Sequence, residues 1–167
     1  MIKMDALRSL CESLQLQNPQ TYVQSGNVVF KTKEKDLARL AKRIADAIER
    51  KFCFRPEVVL RTSSDLRQVI ARNPFAKRRN IETGKLLVFS LATDPGPEAR
   101  RSHLEIKADP EELHIDDSEL YIYFPNGVGK TKLSFSLIDR TLKTQGTGRN
   151  WNTVTKLLEM AEKLEKD

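Results

Sequence analysis

Only two cysteines, Cys11 and Cys53, occur in 167 residues, so no disulfide framework is expected and stability has to come from an apolar core. No apolar stretch approaches the roughly 20 residues of a membrane-spanning helix; the longest runs from Leu86 to Ala92 and is broken by Ser90. The opening MIKMDALRSL has neither the apolar centre nor the small-residue cleavage site of a secretory signal, which makes a reducing, cytoplasmic setting the expected one. Histidine is scarce: His103 and His114 stand eleven positions apart with no spaced cysteine or carboxylate set, so no metal is expected. Nothing in the spacing assigns a Cys–His or Ser–His–Asp group, no cofactor is implied, and whether the chain is an enzyme stays open.

What is present is charge over a globular composition. Charged residues make up 31% and hydrophobic residues 39%, enough for one sizeable core or two small ones that bury roughly 70% of the unfolded surface. The net charge of +6 is uneven: residues 1–90 carry 18 Lys/Arg against 9 Asp/Glu, and residues 91–167 carry 11 against 14. The basic half can attract a polyanion, which keeps nucleic-acid binding open without requiring it.

Periodicity predicts the elements. Ala6, Leu7, Leu10, Cys11 and Leu14 recur at helical spacing over Lys3 to Leu16. TYVQSGNVVF reads as a hairpin from about Gln20 to Lys31, turning at Ser25-Gly26-Asn27. A long helix follows through Leu37, Leu40, Ile44 and Ile48, then a short strand EVVL at Glu57 to Leu60 and a helix from Ser63 to Arg72. After the polar, basic FAKRRNIETGK come the strand LLVFSLA, a short helix or loop, and a second hairpin of ELHI and ELYIYF around Asp116-Asp117-Ser118. A helix through Leu133, Ile138 and Leu142, a loop TQGTG, and a closing helix capped by Asn150 or Asn152 complete the chain.

The order α-β-β-α-β-α, then β-α-β-β-α-α, is an α+β pattern that fits two units, residues 1–79 and 80–167. Each is close to a β-α-β-β-α-β plan, a ferredoxin-like unit whose sheet is centred on a hairpin with helices packed on one face. The first unit lacks the opening strand of that plan. A second copy of the chain, or re-paired strands, is expected to cover the backbone groups this leaves, which makes a homodimer one expected assembly.

Polar loops carry what chemistry there is. PNGVGKTKLS at Pro125 to Ser134 resembles a P-loop at Gly129-Lys130-Thr131, yet Phe124 stands where the first glycine belongs and Pro125 has no N–H to offer. What remains is a loop in which Gly127, Gly129, Lys130 and Lys132 can receive one anion, against a plain glycine turn with solvated lysines. Arg149 can clamp a carboxylate or phosphate beside Asn150 and Asn152, against a cap, a packed Trp151 and a solvated arginine. Ser25 and Asn27 can present a hydroxyl and an amide, or simply make the turn. Lys77-Arg78-Arg79 and Arg100-Arg101 can meet phosphates or only water, and Tyr121 and Tyr123 can stack on bases or pack under helices. Asp116, Asp117 and Glu119 read as an exposed turn and its border.

YVQSGNVVF, NPF at Asn73 to Phe75, YFPNGVGKTKLS and GRNWNTVTKL together resemble the bacterial family of domain of unknown function 1697, from about Lys3 to the last helix. The resemblance implies two ferredoxin-like α+β units and no established activity or catalytic residue. Members of that family open with a strand and a glycine-bearing loop of the type LLRGINVGG, which this sequence does not contain. Three functional expectations result. The first is a cleft of Ser25, Asn27, Gly127, Gly129, Lys130, Lys132, Arg149 and Asn150 that holds a small phosphorylated or carboxylated ligand. The others are nucleic-acid binding through the basic half, and an assembly protein without a small ligand.

Overall fold

The computed structural model describes residues 2–23, 26–102 and 110–167. These pack as two compact units, Met1–Ser63 with Lys156–Asp167, and Ser64–Thr155. In total they form six α-helices and two β-sheets, a mixed α and β architecture.

In the first unit, helix α1 (Met4–Ser13) turns Leu7, Leu10 and Cys11 inward. Helix α2 (Leu37–Phe52) starts where the Asp36 carboxylate accepts the Arg39 amide at 3.1 Å and ends at Cys53, which sits in the left-handed region at φ 62°. Leu40, Ile44, Ala47 and Ile48 of α2 meet the α1 stripe and Leu16 in one apolar core. Strands β1 (Gln17–Tyr22) and β2 (Asn27–Lys31) pair antiparallel, with Gln20 opposite Val29 and Tyr22 opposite Asn27. Side chains alternate across a strand, so Val28 and Phe30 together reach this core. The expected strand at Glu57–Leu60 does not form; Val58 and Leu60 pack against the core, but no ladder takes them up. A strand exists only beside a partner, and among the described residues β2 pairs with β1 alone.

The second unit holds most of helix α3 (Ser63–Ala71), strand β3 (Leu86–Leu91), helix α4 (Gly96–Ser102), strands β4 (Glu112–Asp116) and β5 (Glu119–Tyr123), helix α5 (Phe135–Leu142), strand β6 (Gly146–Asn150) and the start of helix α6 (Trp151–Lys166). Its sheet runs β4-β5-β3-β6 with every neighbouring pair antiparallel. The polar stretch Ala76–Gly84 lies inside this unit and leads through a 3-10 turn at Thr83–Lys85 into β3. Both sheet faces are apolar. Leu120, Ile122 and Phe124 meet Leu133, Ile138 and Leu142 beneath α5, while Val88, Tyr121 and Tyr123 meet Val69 of α3 and Val154 of α6 on the other side.

The expected loop TQGTG is replaced by β6. Its glycines allow this: Gly146 lies opposite Leu91 and Gly148 opposite Phe89, and a Cβ at Gly148 would stand 3.0 Å from the Phe89 ring. The aromatic ring occupies the space that a β6 side chain would otherwise fill.

Candidate functional site

In the second unit, β5 and β6 run in the same direction on either side of β3 and end together. Tyr123 lies opposite Leu86, and Asn150 lies opposite Leu87. The strands that lead to the Gly127–Lys132 loop and to the Arg149-Asn150 pair therefore finish at one end of the sheet, two strand spacings or about 10 Å apart. Between them stands the start of β3, where the Lys85 carbonyl accepts the Phe124 amide at 3.0 Å. Lys85 Nζ also donates to the Pro125 carbonyl at 3.3 Å and pairs with Glu82 at 3.1 Å. Lys85 is a cation at this end that the sequence does not single out, because strand pairing brings it across 40 residues to Pro125.

The loop itself is a chain of tight turns. Gly127 takes φ +87°, and its amide donates to Phe124 O at 2.9 Å; Lys130 donates to Gly127 O and Thr131 to Val128 O, both at 3.3 Å. The Leu133 amide is held by Thr131 Oγ1 at 3.1 Å. These donors face inward, and helix α5 begins only at Phe135, with Ser134 accepting the Leu137 amide as its cap. A P-loop places its lysine at the head of the helix and turns successive amides outward, so this loop is not one. Lys130, Lys132 and Gly129 are exposed.

Arg149 and Asn150 project to opposite sheet faces. Arg149 shares the face of Val88 and Tyr121, on the α3 side, and Asn150 the face of Leu87, on the α5 side. Arg149 is half-buried and donates to the Gly148 carbonyl at 2.8 Å, and burial pulls its pKa below the ordinary guanidinium value. Asn150 Oδ1 accepts the Thr153 amide at 2.9 Å and so caps α6, which leaves its exposed NH₂ for other partners.

The hairpin-tip residues belong to the first unit. Ser25 lies outside the described residues. Asn27 is buried, and its side-chain amide donates to the Tyr22 carbonyl at 3.1 Å, closing the turn. The tyrosines offer no stacking platform. Tyr121 is 1% exposed and donates to Val69 O at 2.6 Å, and Tyr123 is 6% exposed and accepts the Glu82 amide at 3.2 Å. Glu119, expected at the border of an exposed turn, is buried and accepts from Ser90 at 2.8 Å. Of the basic runs, Arg78 pairs with Glu112 at 2.8 Å over the Phe75 ring, and Arg100 pairs with Asp94 at 2.6 Å. His103 lies outside the described residues, His114 stands edge-on to Phe75, and no group of three metal-ligating side chains occurs among the described residues. No helix among them is long and apolar enough to cross a membrane.

Among solved structures, the chain is similar to a conserved bacterial protein from Streptococcus pneumoniae, with a TM-score of 0.69 and 19% identity over 96% of this chain and 89% of that one. At that identity the likeness concerns the fold. No curated protein matches the chain. The family model described as protein of unknown function, DUF1697, matches residues 1–121, and the chain belongs to that family.

Proposed function

We propose that this protein binds a small phosphorylated or carboxylated ligand at the end of the second unit's sheet. The observation that carries the reading is the common ending of β5 and β6 around the start of β3, with Lys85 leading into β3 and Lys130 and Lys132 in the loop that follows β5. Glycines at 127 and 129 keep side chains away from the loop backbone, where a Cβ would meet nothing within 4 Å. Lys130 and Lys132 would neutralise the ligand's charge, the Asn150 NH₂ would donate one hydrogen bond, and Arg149 would add field from the opposite face of the sheet. Ser25 and Asn27 take no part in this reading. The protein would act in the cytoplasm, its two units would share the ferredoxin-like plan in tandem, and whether it turns its ligand over is left to assay.

A thermal-melt screen against inorganic phosphate, nucleotides, sugar phosphates, dicarboxylates and short oligonucleotides tests this. A small anion at about a hundred times its dissociation constant adds about 2.7 kcal/mol, roughly 5–10 °C for a chain of this size. The shift is expected to vanish in Lys130→Ala/Lys132→Ala, whose melting without ligand stays unchanged. A shift with oligonucleotides alone that fades in salt would replace this reading with nucleic-acid binding. Silence throughout would remove it.

A further inference from the structure

We infer that the segment from Asn126 to Arg140 is a membrane-contact surface, which meets the phosphate headgroups of an anionic phospholipid bilayer. The inference rests on the anion reading above and says where the phosphate is carried: on a lipid. Single exposed apolar side chains are ordinary on a protein surface, but a cluster of them interleaved with cations is not. Among the described residues of the second unit, every exposed large hydrophobic lies in this segment: Val128 at 38%, Phe135 at 37% and Leu137 at 38%. Ten residues from Asn126 to Arg140 are exposed; three are these hydrophobics, three are the cations Lys130, Lys132 and Arg140, and none is acidic. The basic excess is local. Residues 125–143 carry four Lys/Arg and one Asp, inside a half of the chain, residues 91–167, that carries 11 Lys/Arg against 14 Asp/Glu.

The segment's own turns hold it in this form. The amides of Gly127, Lys130 and Thr131 each donate to the carbonyl three residues back, Thr131 Oγ1 holds the Leu133 amide, and Ser134 Oγ holds the Leu137 amide. Its apolar residues divide into two sets. Leu133, Ile138 and Leu142 go into the core beneath the sheet, which leaves Val128, Phe135 and Leu137 to solvent. Phe135 has a firm base, since its ring lies 5.4 Å from that of Phe89 and 6.3 Å from that of Phe124. Leu137 and Arg140 stand three apart on α5 and share a face of it.

The occupant follows from what such a segment can offer. Its turn amides are spent internally, so it presents side chains and no ladder for a peptide strand. Three side chains, each little more than one-third exposed, give far less apolar area than the roughly 800 Å² that each partner buries in a stable protein interface. A bilayer asks for less. Apolar tips enter the boundary between headgroups and acyl chains, ammonium and guanidinium groups meet the phosphates, and the two contributions add. Lys130, Lys132 and Arg140 without an exposed acid beside them select an anionic bilayer over a neutral one.

The test is co-sedimentation of the full chain with vesicles of equal parts phosphatidylglycerol and phosphatidylcholine, against vesicles of phosphatidylcholine alone, with a thermal melt in soluble glycerol phosphate beside it. Binding is expected to the anionic vesicles only, and to weaken with salt. Lys130→Ala/Lys132→Ala should weaken it roughly thirtyfold, at about fivefold per lysine near an anionic surface. Val128→Ser/Leu137→Ser should weaken vesicle binding by roughly tenfold or more while keeping the wild-type melt and the glycerol phosphate shift. A glycerol phosphate shift without sedimentation would overturn the inference and leave the small-ligand reading standing, whereas silence in both arms would remove both. Vesicle binding that Val128→Ser/Leu137→Ser does not weaken would reduce the effect to the attraction of any basic protein, and overturns the inference. Tighter binding to an acidic amphipathic peptide than to vesicles would give the surface to a protein partner, and dimerisation lost in Val128→Ser/Leu137→Ser would give it to a second copy; either overturns it as well.

Discussion

Tyr121 ties α3 to the sheet through one atom. Helix α3 ends at Ala71, and two of its last carbonyls are satisfied locally: Gln68 O accepts from Arg72 N at 2.9 Å and Ile70 O from Asn73 N at 3.4 Å. Val69 O is skipped by that turn, and the Tyr121 hydroxyl donates to it at 2.6 Å from a buried position. Burial and the nearby Glu119 carboxylate raise the Tyr121 pKa, so the phenol keeps its proton. Tyr121→Phe removes the donor while leaving the carbonyl buried, at a cost of about 1–3 kcal/mol. At roughly 2–4 °C per kcal/mol, a thermal melt resolves the loss, and a melt indistinguishable from wild type would mean that another group satisfies Val69 O. At this scale the sequence was partly legible. Tyrosines two apart on a strand share a face, but only the register reveals that α3 closes that face to bases. Glu119 was illegible, because its burial depends on Ser90 from a strand 29 residues earlier.

Among the elements, β6 depends on an absence of side chains. Gly148 lies opposite Phe89, where an added Cβ would meet the ring at 3.0 and 3.1 Å and Leu87 at 3.3 Å. Gly148→Ala is therefore expected to destabilise the second unit by about 1–3 kcal/mol, despite alanine's lower entropic cost in a strand. Phe89→Leu in the same chain should return part of the loss, and a double-mutant cycle measures that coupling. Helices and hairpins could be read from the sequence because their signals are local: the apolar stripe of α2, and the turn Asp116-Asp117-Ser118 between ELHI and ELYIYF. GTGRN and EVVL could not, for one physical reason. Whether a segment is a strand is decided by its neighbour, and β-branched EVVL lacks a ladder partner while glycine-rich GTGRN has β3. The candidate site divides likewise. The loop was visible as glycines and lysines, but the common end of the sheet at which β5, β6 and the start of β3 meet is set only by sheet register.

For the whole molecule, the response to acid is set by carboxylates with opposed environments. Asp46 is hydrogen-bonded by Lys42 at 2.9 Å and Arg55 at 2.6 Å, and these partners pull its pKa down to about 2. Its folded pKa lies below the unfolded one, so its contribution is fully present above about pH 4 and is lost as pH falls through about 2. Asp139 behaves in the reverse sense. Burial raises its pKa, so the ionised carboxylate costs stability near neutrality, and the cost is relieved as acid protonates it in the fold first. Asp46→Asn should melt below wild type at pH 7, with the difference closing toward pH 2. Asp139→Asn should melt above it at pH 7, with the advantage shrinking on acidification. Melting curves of the three proteins from pH 7 to pH 2 check both signs at once. Since the chain carries +6 before any carboxylate is neutralised, each proton taken up also adds to a positive excess, and wild type should lose stability throughout the acid limb. Salt should soften that limb by screening the repulsion between exposed charges, while the slope difference between Asp139→Asn and wild type, which arises from burial, should persist in high salt. A slope difference that salt abolished would reassign the Asp139 shift to surrounding charge.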